Sequence, residues 1–373
     1  MRILGIETSC DETSAAVIEA EKGSPTVKVL SNVVSTSVKL HAKTGGIIPE
    51  IAAREQIKYI LPVIEEAIRS STRGVDAQNP AGFIDAIAVT YGPGLIGSLL
   101  VGVETAKTLS YVWNKPLVPV NHLYGHIYAN FIEDSVSLRD HEMAKQSSKK
   151  IATSSRLNGT PRNDNVQFPA LALIVSGGHT DLVLLRRHGD IQWLGGTRDD
   201  AAGEAFDKIG RLLDLPYPAG PEIERFAKKG DPKAFNFPRP MIGSDDFDFS
   251  FSGLKTAVFR ETQTIKQFNN ETISNICASV QAAIIDVIVK KTLKAAEKYQ
   301  VKSILLGGGV AANQALRVQF QLKIENLKLK ISLSVPPKSL CTDNGGMIAA
   351  AAFFNYKEVP WKKLTANPEL YFD

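Results

Sequence analysis

The sequence predicts a two-lobed α/β protein with an internal duplication. Three observations predict it. Short apolar runs alternate along the chain with stretches of helical periodicity. A pattern of apolar run, small or hydroxyl-rich turn and second apolar run occurs near the N-terminus and again in the second half. And 373 residues are more than one compact core usually serves.

The elements follow in order. Residues 3–6 (ILGI) and 15–18 (AAVI) read as a hairpin across a polar turn that contains Asp11 and Glu12. Residues 84–90 (IDAIAVT) form a buried-strand pattern, and YGPGLIGS then leads into a helix marked by Leu99, Val103, Ala106, Leu109 and Trp113. Another short strand spans 117–120. The hairpin pattern recurs as 171–175 (LALIV), the turn Ser176-Gly177-Gly178-His179-Thr180, and 182–185 (LVLL). A long amphipathic helix follows, marked by Ile273, Cys277, Val280, Ile284 and Val287. Then comes a strand at 303–306, running through Gly307-Gly308-Gly309 into a helix that begins near Asn313. Residues 134–167 are rich in Ser, Asn, Lys and Arg and read as a polar, flexible surface insertion, with a partner- or RNA-contacting arm as the alternative.

Composition limits the function classes. Hydrophobic residues are 44% and charged residues 22%, which argues against wholesale disorder. A net charge of +4 is too small for this length to identify a nucleic-acid binder. The cysteines (Cys10, Cys277, Cys341) are odd in number and far apart, which speaks against a disulfide framework or a cysteine-rich zinc site. No signal peptide or membrane span is read, and a cytoplasmic location is expected.

Five constellations could carry chemistry. The Ser176-Gly177-Gly178 turn could hold an anion on its backbone, or be a plain hairpin turn. The Gly307-Gly308-Gly309 stretch leaves room for a ring or phosphate against a helix start, where Asn313 could cap the helix or bind a ligand. Gly92-Pro93-Gly94-Leu95-Ile96-Gly97 fits GxGxxG, but the next strand ends in Asn121 and His122 with no acid, so a tight strand-to-helix turn is the preferred reading. His122 and His126 are four apart, so one helical face can offer both to a metal; Asp343 is the best distant third ligand, against a role as a plain polar turn. Asp200, Glu204, Asp207 and Lys208 are read near one helical face, either merely solvated or holding ribose hydroxyls.

Taken in order, GIETSCDETS, KLHA with GGIIPEIAAR, GPGLIGSLLVG, NHLYGH, LIVSGGHT, DDAAGEAFDK, FSFSGLKTA, GGVAAN and CTDNGGMIA closely resemble the tRNA N6-adenosine threonylcarbamoyltransferase family in its bacterial form, formerly named O-sialoglycoprotein endopeptidases. The resemblance covers nearly everything except 134–167. It implies an actin-like fold, shared with sugar kinases and heat-shock proteins, with two lobes flanking a cleft. The lobes are expected at 1–130 plus 346–373 and at 131–345. It implies transfer of threonylcarbamoyl from threonylcarbamoyl-adenylate to N6 of adenosine 37 in tRNAs reading codons that begin with A, with release of AMP. The implied metal ligands are His122, His126 and Asp343. The implied adenylate-binding set is Ile174, Val175, Ser176, Gly177, Gly178, Asp207, Gly220, Asn313 and, as an additional contact, Glu224. Asp11 and Glu12 correspond to the acidic pair at the reaction centre. One divalent metal is expected, iron (Fe2+) first and zinc second, and the implied partners are tRNA, an inactive paralogue and a small ATPase. Two departures stand out: Ala219 where many members have glycine, expected to alter the ligand-side turn slightly, and Asn121 where bacterial members often have histidine. A metalloprotease and a non-catalytic ATP-binding scaffold remain the rival classes; the absence of a glutamate between the two histidines argues against the first.

Overall fold

The computed structural model describes residues 1–72, 79–133, 166–265 and 268–372; most of the predicted insertion at 134–167 lies outside the described residues. The described residues build two five-stranded mixed sheets. The first contains β1 (Arg2–Glu7), β2 (Glu12–Glu19), β3 (Lys28–Thr36), β4 (Ala86–Gly92) and β5 (Leu117–Asn121), in the order β3-β2-β1-β4-β5. The second contains β6 (Ala170–Val175), β7 (Thr180–Arg187), β8 (Asp190–Gly196), β9 (Ser303–Gly307) and β10 (Ser332–Ser334), in the order β10-β9-β6-β7-β8.

The two orders are the same topology. In each sheet the first three strands form an antiparallel meander, the fourth runs parallel to the first, and the fifth runs parallel to the fourth. The repeated hairpin seen in the sequence is therefore the start of a repeated five-strand unit. The third strands escaped the apolar-run reading for a physical reason. β3 and β8 lie at sheet edges and are largely half-buried or exposed, so neither carries a continuous apolar run.

The helices of the first half are α1 (Val38–Thr44), α2 (Pro49–Ser71), α3 (Pro80–Phe83), α4 (Ile96–Trp113) and α5 (His122–Tyr128). Those of the second are α6 (Ala202–Leu212), α7 (Ala219–Ala227), α8 (Ser252–Thr264), α9 (Asn270–Lys298), α10 (Gln314–Asn326), α11 (Lys338–Cys341) and α12 (Gly345–Phe354). Among the described residues, α9 is the one helix long and apolar enough to cross a membrane. Its apolar residues are buried in the core of the second sheet, with Leu171, Leu173 and Phe320.

Side-chain alternation along the strands divides the core. On β1, Leu4 and Ile6 face α2 and α4, while Ile3 faces inward toward α5 and α12. That inner core also takes Ala170, Ala172 and Ile174 from β6 and Leu305 from β9. Helices α5 and α12 are thus packed between the two sheets. α12, GGMIAAAAFF, is apolar on every side, as a helix with sheets on both flanks must be. Its first turn lies almost on the first sheet: a Cβ on Gly5 would lie 2.2 Å from the Gly345 carbonyl oxygen. β5 runs directly into α5, so the start of α5 lies at a strand's carboxyl end, where open α/β sheets bind ligands.

Candidate metal centre and nucleotide cleft

α5 starts where β5 ends. The Asn121 side chain caps it by accepting from the Leu123 N–H at 2.9 Å. Within this helix the His122 and His126 rings lie edge to face with centroids 4.7 Å apart. Gly125, which by itself weakens a helix, is where α5 meets α12: a Cβ there would lie 2.8 Å from Ile348 Cδ1. Asp343 arrives from the other end of the chain, just before α12. Its Oδ1 is 3.6 Å from His122 Nε2 and 3.3 Å from His126 Nε2.

The ligand atoms of His122, His126 and Asp343 all lie within 4.8 Å of one another. His126 is 1% exposed, and neither of its ring nitrogens has a hydrogen-bond partner among the described residues. A buried imidazole with no hydrogen bond is costly unless another acceptor of its lone pair is present. Two nitrogens and a carboxylate fit a divalent metal of the iron or zinc kind.

Glu7, which the sequence reading assigned no role, completes the arrangement. It is fully buried at the end of β1, with Oε2 3.1 Å from His122 Nδ1. Oε1 accepts from the Ser9 N–H and Oε2 from Thr90 Oγ1, each at 2.5 Å. A carboxylate behind a ligating imidazole fixes its tautomer and leaves Nε2 for the metal. Burial alone would lower the His122 pKa, but Asp343 and Glu7 outweigh it and hold the pKa above the usual histidine value. Burial would likewise raise Asp343, and the facing imidazoles of His122 and His126 hold it down instead. His179 sits beside the triad; burial first, then His122 and His126, push its pKa down to about 3, so it remains a neutral imidazole.

The turn carrying Asp11 and Glu12 is held by α2 and α4. Gln56 Nε2 donates to the carbonyls of Cys10 and Glu12 at 3.0 and 2.9 Å, and Ser98 Oγ donates to Cys10 at 3.0 Å. Burial, then Asp343 and Asp11, push the Glu12 pKa well up.

On the second sheet, Asp207 of α6 accepts from the Ala219 N–H at 2.7 Å and caps α7. Burial raises its pKa against the pull of the Ala219 and Gly220 N–H groups. Glu224 accepts from the Gln314 N–H at 3.1 Å, beside Asn313 at the start of α10. Gly177, Gly178, Gly220 and Gly309 have nothing within 4 Å of where a Cβ would stand, so their backbones face open space. Tyr217 connects the two groups: burial, then Asp207 and the carboxylates of Asp11 and Glu12, push its phenol pKa up.

A family model for tRNA N6-adenosine threonylcarbamoyltransferase (TsaD) matches residues 28–139 and 147–350. The enzyme of that name from Moorella thermoacetica is 44% identical over 98% of this chain and 95% of its own. The one from Halalkalibacterium halodurans is 45% identical over 98% and 94%. The chain belongs to the tRNA N6-adenosine threonylcarbamoyltransferase family. Among solved structures, T. kodakarensis HypF superposes with a TM-score of 0.57 at 14% identity, over 95% of this chain and 47% of that one, which is a likeness of fold alone.

The threonylcarbamoyltransferase chain places its predicted residues unevenly. His122, His126 and Asp343 converge, with Asp11 and Glu12 close by. Ile174 and Val175 are fully buried with side chains in opposite cores, so only their backbone can serve the cleft. Ser176 uses its hydroxyl internally, accepting from the N–H groups of Gly178 and His179 at 3.3 and 3.1 Å. Asn313 caps α10: Oδ1 accepts from Leu316 N–H at 3.0 Å, and one Nδ2 hydrogen goes to Gln281 Oε1 at 2.8 Å. The acidic face corrects in part. Asp200 lies before α6 and, with Glu204, is ion-paired to Lys208 at 2.6 and 3.0 Å, whereas Asp207 turns to the start of α7.

The glycines of GPGLIG serve packing. A Cβ on Gly94 would lie 2.5 Å from the Ser9 carbonyl oxygen. The Ala219 methyl packs against Gly210, where a Cβ would stand 2.1 Å from it.

Glu7→Gln offers a test of the residue behind His122. It keeps the shape but loses the charge, and metal affinity is expected to fall about 10–100-fold. Metal titration checks this, and wild-type affinity in the variant would rule the role out.

Proposed function

We propose that this chain transfers threonylcarbamoyl from threonylcarbamoyl-adenylate to N6 of adenosine 37 in tRNAs reading codons that begin with A. The observation that carries the reading is the convergence of His122, His126 and Asp343, from opposite ends of the chain, in a member of this family. A metalloprotease lacks support: the position after His122, where an HExxH motif carries its general-base glutamate, is Leu123, and Glu7 is hydrogen-bonded behind His122.

The reaction exchanges one acyl partner for another. N6 of adenine attacks the carbamoyl carbon, the mixed-anhydride C–O bond breaks, AMP leaves with the electron pair, and the amine proton passes to a base. The leaving group is already good, so the protein must position a poor nucleophile and stabilise developing charge. His122, His126 and Asp343 would hold one divalent ion, Fe2+ first or Zn2+, which supplies Lewis-acid polarisation and a template for donor oxygens. The backbone of 174–178 holds the anionic end of the donor. Asp207, Gly220 and Glu224 hold the ribose and base, with Asn313 keeping the α10 start in place.

Glu12 or Asp11 is the proposed acceptor of the amine proton. Glu12→Gln is expected to slow single-turnover transfer by about 10²-fold or more without weakening donor binding. Unchanged rates in both Glu12→Gln and Asp11→Asn would remove the acid–base role.

The lobes are proposed as 1–130 plus 346–373 and 131–345, in an actin-like arrangement supported by the repeated strand order. Work in the cytoplasm with an inactive paralogue and a small ATPase is part of the same reading. The deciding experiment combines purified chain, synthetic threonylcarbamoyl-adenylate and unmodified tRNA, followed by nucleoside analysis. No threonylcarbamoyladenosine, even with both partners added, overturns the reading in favour of a scaffold.

A further inference from the structure

Asp343 lies on the segment that crosses from the second sheet to the first. On the far side it is anchored at once: Asn344 caps α12 by accepting from the Met347 N–H at 3.0 Å, and the Gly345 N–H donates to Ser14 Oγ at 2.8 Å. On the near side the anchor is Arg317, in the first turn of α10. Its Nε donates to the Ala311 carbonyl at 2.7 Å, within the glycine-rich turn at 307–313. Its other arm donates to the Pro336 carbonyl at 3.0 Å and meets Cys341 Sγ at 3.2 Å. Cys341 is fully buried and stands two residues before Asp343.

A guanidinium is suited to this place. Its rigid fork can serve two chain segments at once, whereas an ammonium is a single point of charge. Without it, the link between the Ala311 and Pro336 carbonyls is lost, and the 336–343 segment keeps its own local bonds, Cys341 Sγ to Pro336 and Asn344 Nδ2 to Leu340 and Thr342, but nothing from Arg317 that ties it to the 307–313 turn.

We propose that Arg317 is a positioning residue that sets Asp343 against the His122–His126 pair by bridging the nucleotide-side turn at 307–313 to the 336–341 segment. The proposal rests on the metal reading given above.

The test uses the full-length protein and Zn2+ and Co2+ as probes. Variants are Arg317→Met, Arg317→Lys and, as a control, Arg239→Met, which removes a different cation paired with Asp286 at 2.7 Å. Arg317→Met is expected to bind Zn2+ about 10–100-fold more weakly and to shift the visible spectrum of bound Co2+, as loss of an outer-sphere support does. Arg317→Lys, which conserves charge and secures folding, is expected to stay about 10-fold weak because it cannot span both segments. Arg239→Met is expected to lower thermal stability with metal affinity unchanged. Wild-type Zn2+ affinity and Co2+ spectrum in either folded Arg317 variant overturn the proposal, as does equal weakening in Arg239→Met. If wild-type binding depends on His126 but not on Arg317, the positioning role alone fails. If the wild type binds no Zn2+, or His126→Ala binds it equally, the metal reading fails and takes this proposal with it.

Discussion

His126→Ala is expected to abolish metal-dependent stabilisation and to cut tRNA threonylcarbamoylation by at least about 10²-fold. The size follows from comparison. Changing a residue that only supports a ligand typically costs 10–100-fold, so deleting a ligand costs at least the upper end. The thermal behaviour is more diagnostic. The wild-type imidazole is buried, with Nδ1 lacking a hydrogen-bond partner among the described residues and Nε2 opposite Asp343 Oδ1 at 3.3 Å. An unsatisfied buried group of this kind costs about 1–3 kcal/mol. Truncation loses packing but also removes that cost, so stability in chelator should fall by less than a buried large-to-small change usually brings. Added Zn2+ or Fe2+ at 100 times Kd should stabilise the wild type by about 2.7 kcal/mol and leave the variant unmoved. Thermal melts with and without metal, beside nucleoside analysis of tRNA, check both parts. A variant that keeps the metal-dependent rise and full transfer would end the metal reading.

Gly5→Ala should be among the most damaging single-methyl additions in the protein. The new Cβ would lie 2.2 Å from the Gly345 carbonyl oxygen and 2.7 Å from the Ala349 amide nitrogen, both backbone atoms that cannot rotate aside. Overpacking typically costs 1–3 kcal/mol, and a clash with backbone belongs at or beyond the upper end, so a loss of about 3 kcal/mol or more is expected. Because Asp343 stands just before α12, moving that helix off β1 should also weaken metal binding. Gly177→Ala is the matched contrast. Its Cβ meets nothing within 4 Å, so stability should stay within about 0.5 kcal/mol while donor affinity falls, because the methyl enters space the ligand needs. Chemical denaturation and adenylate-analogue binding separate the two. A Gly5→Ala protein of wild-type stability would show that α12 can slide, and undiminished donor binding in Gly177→Ala would remove that turn from the cleft.

Much of the site was legible because its signals are local or typed by residue. A histidine pair at four-residue spacing falls on one helical face in any helix, and apolar runs ending in glycines mark strand ends wherever they pack. Even Asp343, more than two hundred positions from His122, was reachable through the resemblance. Glu7 was not. In the sequence it is the last residue of a strand beside a polar turn, and nothing local distinguishes an acid that supports a ligand from one that meets water. Gln56 was missed in the same way, since its value lies in carbonyls of a turn more than forty residues earlier. Asp200, Glu204 and Asp207 looked alike on a helical face; Lys208 and the start of α7 separated them.

The sequence alone therefore determined the α/β class, the repeated hairpin, the glycine-rich strand ends and the identity of the histidine pair, because periodicity and residue type act over a few neighbouring positions. Tertiary structure alone decided which carboxylate stands behind His122, that Asp207 meets the start of α7, and that Asn313 caps α10. Those outcomes depend on which buried groups meet across the two sheets. Burial makes an unpaired polar atom costly, and only the assembled chain shows where each such atom finds its partner.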